Sequence, residues 1–265
     1  MDTDLTIGIA TCGRPRILNR CIRSIYKNTN MKFEIIVLDN AGAFTNNKYA
    51  KSRINGIMSD RVKVIEIDDK KIGCCESNNI IADECKTKYL MHLDDDVYIP
   101  SESRNIIDEM YDLISKIKQP SIIGGIWYDT FYKGMRPVPM VYKFENGKTW
   151  KEPQQYKPFS GLIKTDECLH SMIFDKDEIY SRVKWDEHFK WKGDRFDFFL
   201  QCKKQNIGLF AYGDMKFIHD PQPFKFGSLS YEDFGGKEAI EYFENKWNLK
   251  PIVGWDKKQI KPGNI

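Results

Sequence analysis

The residues best placed to do chemistry are Asp94, Asp95 and Asp96, three consecutive carboxylates in the run His92-Leu93-Asp94-Asp95-Asp96-Val97. The apolar stretch Tyr89-Leu90-Met91 before them reads as a buried strand. Burying three charges at once is costly, so the strand must deliver them to an open crevice at its carboxyl end. Open α/β sheets hold their ligands there. Alternate side chains of an extended segment point the same way, which predicts Asp94 and Asp96 on one side and Asp95 on the other. Two hard oxygen ligands can hold Mg²⁺ or Mn²⁺ without caging it, leaving positions for water and phosphate oxygens. A solvated acidic turn has the same composition, so the neighbouring elements decide between the two readings.

Residues 5–10 form a short β-branched apolar run, followed by the loop Thr11-Cys12-Gly13-Arg14-Pro15. A helix follows, with Ile17, Leu18, Cys21, Ile22, Ile25 and Tyr26 on one face. Pro15 suits its first turn, where an N–H would be unpaired in any case. Residues 33–38 predict a second strand ending in Asp39, whose carboxylate can accept from a nucleoside or cap a turn. Residues 62–67 predict a third strand, and residues 76–85 a helix with Asn78 and Asn79 in its first turns. Either amide can reach a ligand over the sheet edge or simply begin a surface helix. Three βα units ahead of the acidic triplet make a nucleotide-binding half of Rossmann type, residues 1–128.

Residues 101–118 predict an amphipathic helix and residues 121–128 another strand. From residue 129 prolines and aromatics accumulate, and an acceptor-side half is placed over residues 129–230, ahead of a helix and tail over 231–265. Strands are expected at 160–166, 207–211 and 215–218, and a short helix at 175–183. A helix from Asp194 to about Gln205 sets Asp194 and Asp197 one turn apart near its N-terminus, where the helix dipole stabilises carboxylates. An exposed acid there, flanked by Trp185 and Trp191 as sugar-stacking faces, can serve as a general base. His219 closes the last strand.

With 41% hydrophobic and 30% charged residues the chain is globular, and a net charge of +3 gives no basic footprint for a nucleic-acid backbone. The seven cysteines are odd in number and sit mostly in apolar patterns, which suits buried thiols in a reducing, cytoplasmic setting. Cys74 and Cys75 are adjacent, unlike the usual zinc-ligand spacing. The acidic N-terminus is unlike a signal peptide and no apolar run is long enough to span a bilayer. Lys257, Lys258 and Lys261 near the C-terminus are compatible with peripheral membrane association.

In this order the motifs resemble the nucleotide-sugar-dependent glycosyltransferases of the GT-A fold, particularly the inverting, family 2-like group. The carrying residues are Thr11 and Arg14, Asp39, Asn78, the Asp94-Asp95-Asp96 triplet, the segment Gly193-Asp194-Arg195-Phe196-Asp197, and His219. Trp185-Asp186-Glu187 with Asp197-Phe198-Phe199-Leu200 adds a weaker similarity to the β-1,4-N-acetylgalactosaminyltransferase branch. The resemblance implies that Thr11, Arg14, Asp39, Asn78, Asp94 and Asp95 bind the nucleotide-sugar, with Asp39 reading the base. It implies Asp96, helped by Asp94 and His219, as holder of Mn²⁺ or Mg²⁺, and Asp194 as catalytic base, with Asp197 the other choice.

Two departures stand out. Asp194-Arg195 replaces a frequent Glu-Asp pair, and His170 sits where that branch commonly has Asn. The expectation is an α/β, GT-A protein that moves a sugar from a UDP-sugar to a glycan or other hydroxyl acceptor, in glycan or polysaccharide synthesis. A nucleic-acid acceptor is not favoured by the balanced charge. The alternatives are a sugar-phosphate nucleotidyltransferase and a non-catalytic sugar- or protein-binding module.

Overall fold

The computed structural model describes residues 3–40, 42, 52, 61–67, 72–136, 139–153, 158–190, 193–221 and 236–251. The irregular or helical connection suggested by the polar composition of residues 43–60 lies, apart from residue 52, outside the described residues, as do the Trp191 face and the basic tail. Strands β1 (Leu5–Thr11), β2 (Glu34–Asp39), β3 (Val62–Glu66) and β4 (Tyr89–Leu93) are mutually parallel, ordered β3-β2-β1-β4. After β4 come β5 (Val97–Tyr98), β6 (Ser121–Asp129) and β7 (Gly134–Met135). The hairpin β8 (Met140–Glu145) and β9 (Lys148–Pro153) follows, then β10 (Leu162–Lys164), β11 (Ser171–Asp175) and β12 (Gly208–His219). The large sheet runs β10-β12-β6-β11-β4-β1-β2-β3, with β11 antiparallel to both β4 and β6. A second, three-stranded sheet joins β8 and β9 to β13 (Lys250–Pro251).

Alternation along the strands explains the layers. In β1, β2 and β4 one set of residues (Leu5, Ile7, Ile9; Ile35, Val37; Tyr89, Met91, Leu93) faces α1 (Pro15–Asn28) and α3 (Ile106–Lys116). The other set, including Ile36, Leu38 and Leu90, faces α2 (Cys74–Glu84), α4 (Lys176–Tyr180), α5 (Asp194–Lys204) and α6 (Gly236–Trp247). Period-2 burial on both faces is what a sheet covered by helices on both sides requires. Helix α1 buries Leu18, Cys21, Ile22 and Ile25, and each Leu or Ile so buried contributes roughly 1.5–3 kcal/mol.

The structure corrects three expectations. Strand β11 was not anticipated, although it lies between β4 and β6 in the middle of the sheet. The two strands expected at 207–211 and 215–218 are one strand, β12, whose pairing with β6 shifts register between Tyr212 and Lys216, so the interruption is a bulge within a single strand. The helix expected over 101–118 is a 3-10 turn at Ser101–Ser103 followed by α3. Among the described residues no helix is long and apolar enough to cross a membrane, and all seven cysteines are free thiols, six of them buried.

Candidate active site

The acidic triplet forms a tight turn: the Val97 N–H donates to the Asp94 carbonyl at 3.1 Å. The extended backbone expected through the triplet is therefore replaced by a turn. Asp95 turns into the protein, where it accepts from the Thr11 hydroxyl at 2.6 Å and from the Arg14 guanidinium, while Asp96 accepts from the same guanidinium at 3.0 Å. Burial first, then the neighbouring Asp96 and Asp94 charges, push the Asp95 carboxyl up to about 7 against the pull of Arg14 and Thr11. Asp96 is also raised, by burial and then by Asp94. Burial opposes the Arg14 charge, yet the two carboxylates hold its pKa above the usual value. Thr11 and Arg14, read from sequence as ligand-binding, are thus engaged by the carboxylates themselves.

Asp94 turns another way. Its Oδ1 lies 3.1 Å from Nδ1 of His170, just before β11, and the Asp94 N–H donates to the His170 carbonyl at 3.2 Å. Burial disfavours both charges, but their mutual attraction wins: the Asp94 pKa is lowered and the His170 pKa raised. The pairing of β11 with β4, Ser171 beside Leu93, brings them together.

His219 is placed by two ladders. In β12 it pairs with Asp129 at the end of β6 and with Val97 of β5, immediately after Asp96. Its Nδ1 lies 2.8 Å from Asp129 Oδ2 and its Nε2 3.7 Å from Asp96 Oδ1, while its ring stacks on Trp127 at 4.5 Å. Burial would raise the Asp129 pKa, but N–H groups from the Phe131–Tyr132 turn, His219 and Arg136 together lower it. An ionised Asp129 only accepts, so Nδ1 carries a proton and Nε2 is the nitrogen that faces Asp96. Two ligand atoms about 2.1 Å from one cation lie roughly 3–4 Å apart, and an imidazole backed by a carboxylate is a recurrent ligand arrangement. Asp96 and His219 therefore fit a divalent cation of the Mn²⁺ or Mg²⁺ kind. Asp129 was missed in the sequence, although a carboxylate ending an apolar strand was the signal already used for Asp39.

Thr11 and Asp39 are register partners at the carboxyl ends of β1 and β2. Asp39 is completely buried, and the adjoining Asn40 contacts Ser77 in the first turn of α2 at 3.4 Å, beside the buried Asn78. Asn79 ties the chain at 185–187 in place, its amide donating to the Trp185 carbonyl and to Glu187 and accepting from the Trp185 N–H.

Gly193, at φ +86°, caps α5 and sets Asp194 at its first position, partly exposed and 3.4 Å from Cys74 Sγ. Asp197 has no solvent exposure and accepts from Gln201 (2.7 Å), Trp247 Nε1 (2.8 Å) and Lys246 (2.7 Å). Trp185 is buried against Phe198 at 4.1 Å, so it cannot serve as the sugar-stacking face expected of it. Asp186 bonds Tyr242 and Lys246 of α6. Arg195 turns toward Glu167 at 3.9 Å, where Lys151 and Tyr142 also converge.

A doubly covered sheet that delivers carboxylates to its carboxyl edge is the build of a nucleotide-binding α/β protein. Residues 6–169 match the family described as Glycosyl transferase family 2, and the chain belongs to that family. No curated protein sequence matches the chain. Among solved structures it is similar to S. aureus TarS 1-349 in complex with UDP-GlcNAc, at 13% identity and a TM-score of 0.62, over 92% of this chain and 66% of that one. It is also similar to GalNAc-T7 with UDP, GalNAc and Mn²⁺, at 14% identity and a TM-score of 0.71, over 96% of this chain and 49% of that one. The chain thus spans just under two thirds and about half of the lengths of these two structures. The likeness bears out the GT-A architecture.

Proposed function

We propose that the chain transfers a sugar from a UDP-sugar to an acceptor hydroxyl, with inversion at the anomeric carbon. The observation that carries this reading is His219, whose Nδ1 is held by Asp129 and whose Nε2 faces Asp96 Oδ1 at 3.7 Å on the carboxyl edge of the sheet. Asp96 and His219 would hold Mn²⁺ or Mg²⁺, with Asp94 at the partly exposed side. When bound, that ion supplies Lewis-acid stabilisation of the charge developing on the diphosphate. The UDP-GlcNAc in the TarS complex, and the UDP and Mn²⁺ in the GalNAc-T7 complex, support the choice of donor and cation.

Asp39 and Asn78 form the floor of the nucleoside side, while Thr11 and Arg14 fix the turn that carries Asp96. Asp194 accepts the proton of the acceptor hydroxyl as that oxygen bonds to the anomeric carbon on the face opposite UDP. The anomeric C–O bond breaks and its electron pair leaves on UDP. Asp197 is saturated by three donors and serves the packing of α6, which leaves Asp194 for the base.

The nucleotidyltransferase reading needs a free basic residue in the first loop to hold a triphosphate, and Arg14 is engaged by Asp95 and Asp96. The test is UDP release from a panel of UDP-sugars with Mn²⁺ and simple glycan acceptors, with the product's anomeric configuration read by NMR. A product of inverted configuration is expected. Retained configuration would remove the single-displacement route, and transfer of a nucleotidyl group from a nucleoside triphosphate to a sugar phosphate, with release of pyrophosphate, would favour the other reaction.

A further inference from the structure

Adjacency of Cys74 and Cys75 in sequence argues against zinc, because structural zinc sites usually space their paired thiols two to four residues apart. The fold supplies a third ligand that the spacing hides. Gly73, just before α2, packs against the Lys190 backbone so closely that a Cβ there would lie 2.6 Å from Lys190 Cα, and the Cys74 N–H donates to the Lys190 carbonyl at 2.8 Å. This docking brings the first position of α2 beside the first position of α5. The Sγ atoms of Cys74 and Cys75 and a carboxylate oxygen of Asp194 lie within 4.8 Å of one another. Cys74 Sγ to Asp194 Oδ2, at 3.4 Å, already matches the edge of roughly 3.5 Å expected when Zn–S is about 2.3 Å and Zn–O about 2.0 Å in a tetrahedron.

We propose that Cys74, Cys75 and Asp194 form a site for a thiophilic divalent cation of the Zn²⁺ type, distinct from the Asp96–His219 pair, and that its occupation shuts off the reaction by engaging Asp194. Cys75 is buried while Cys74 and Asp194 are partly exposed, so a cation enters from the side on which Asp194 would meet an acceptor. Two thiols and a carboxylate leave a fourth position open to water. Binding releases the thiol protons to solvent and leaves a bis-thiolate complex, with no change of oxidation state. The hydrogen bond to Cys75, burial and then the Asp194 charge raise the Cys74 thiol. At Cys75 the hydrogen bond to Cys74 pulls the other way, and burial with the Asp194, Asp197 and Asp186 charges still raises the thiol; the carboxylates attract a cation in the protons' place. The two sites sort metals by softness: oxygen and imidazole on one, thiolate on the other.

The inhibitory half of this proposal rests on Asp194 being the base, so the experiment separates the two. Reduced full-length protein is titrated with Co²⁺ in the presence of excess Mn²⁺, and the thiolate-to-cobalt charge-transfer band is followed. One equivalent producing a band that Zn²⁺ displaces is expected for wild type and for D96A. The band should vanish in C74S/C75S, and in D194N the affinity should fall by at least roughly tenfold. A wild type without the band, or a band that survives in C74S/C75S, overturns the site. Alongside, Zn²⁺ should inhibit UDP release by wild type and inhibit C74S far less, each compared with its own zinc-free rate. A cobalt band without zinc inhibition would keep the site and remove Asp194 from the chemistry.

Discussion

His219 and Asp129 are register partners on β12 and β6, and the 2.8 Å contact between Nδ1 and the carboxylate fixes which imidazole nitrogen looks at Asp96. If Asp129 acts by orienting that ring, D129N should keep the turn through the amide oxygen while losing the charge that selects the tautomer. Mn²⁺ affinity, read by electron paramagnetic resonance of free Mn²⁺, should fall about 10–100-fold with little change in unfolding temperature. Unchanged affinity would place the cation away from His219.

Asp194 and Asp197 lie one turn apart and should respond in opposite ways. D194N should reduce transfer by about 10²–10⁴-fold while UDP affinity and stability hold. D197A removes a fully buried acceptor from the Trp247 Nε1–H and the Gln201 amide and should cost about 1–3 kcal/mol in urea unfolding. A D194N variant with full activity would send the search for the base elsewhere.

The paired chain of Trp185 and Phe198 predicts a structural role for that indole. W185A should destabilise the protein by about 3–5 kcal/mol, as large core truncations do. A temperature low enough to keep the variant folded should give an unaltered KM for acceptor. A selective rise in KM would restore Trp185 as a sugar-stacking face.

Asp186 gives a pH dependence. Burial would raise its carboxyl, but Lys246, the His188 N–H and imidazole, and Tyr242 bring it down to about 2. The folded state then binds fewer protons than an unfolded Asp near 3.9, so this stabilisation is present above about pH 4 and disappears as the pH falls toward 2. Hydrogen-exchange protection of the α6 amides, relative to the intrinsic rate at each pH, should fall over that interval in wild type, and K246M should already be weakly protected at pH 6. Protection that is flat from pH 6 to 2 would contradict the clamp.

Much of the framework was legible because both-face burial leaves apolar runs and each parallel strand ends in polar residues. Thus β1, β2, β3 and the Asp triplet could be read directly. Strand β11 was not, since Ser171–Asp175 is only five residues long, lacks alternation and runs straight into α4. The gap between the strands expected at 207–211 and 215–218 is a bulge within β12, and a bulge interrupts the apolar pattern as a turn does. Carboxylate roles were the least legible part: Asp197 and Asp194 share a helix turn, and only their burial and partners tell them apart. The contacts of Asp94 with His170 and of Asp194 with Cys74 depend on strand register and helix docking, to which local sequence is silent.

The central claim is a donor site completed by a cation on Asp96. Thermal unfolding of wild type and D96A with UDP, with and without Mn²⁺, tests it most directly, because a ligand bound to the native state at 100 times its Kd adds about 2.7 kcal/mol. The account predicts that UDP stabilises wild type strongly only when Mn²⁺ is present and that D96A loses this dependence. Equal stabilisation by UDP with and without Mn²⁺, or a metal-dependent gain that survives in D96A, would contradict it.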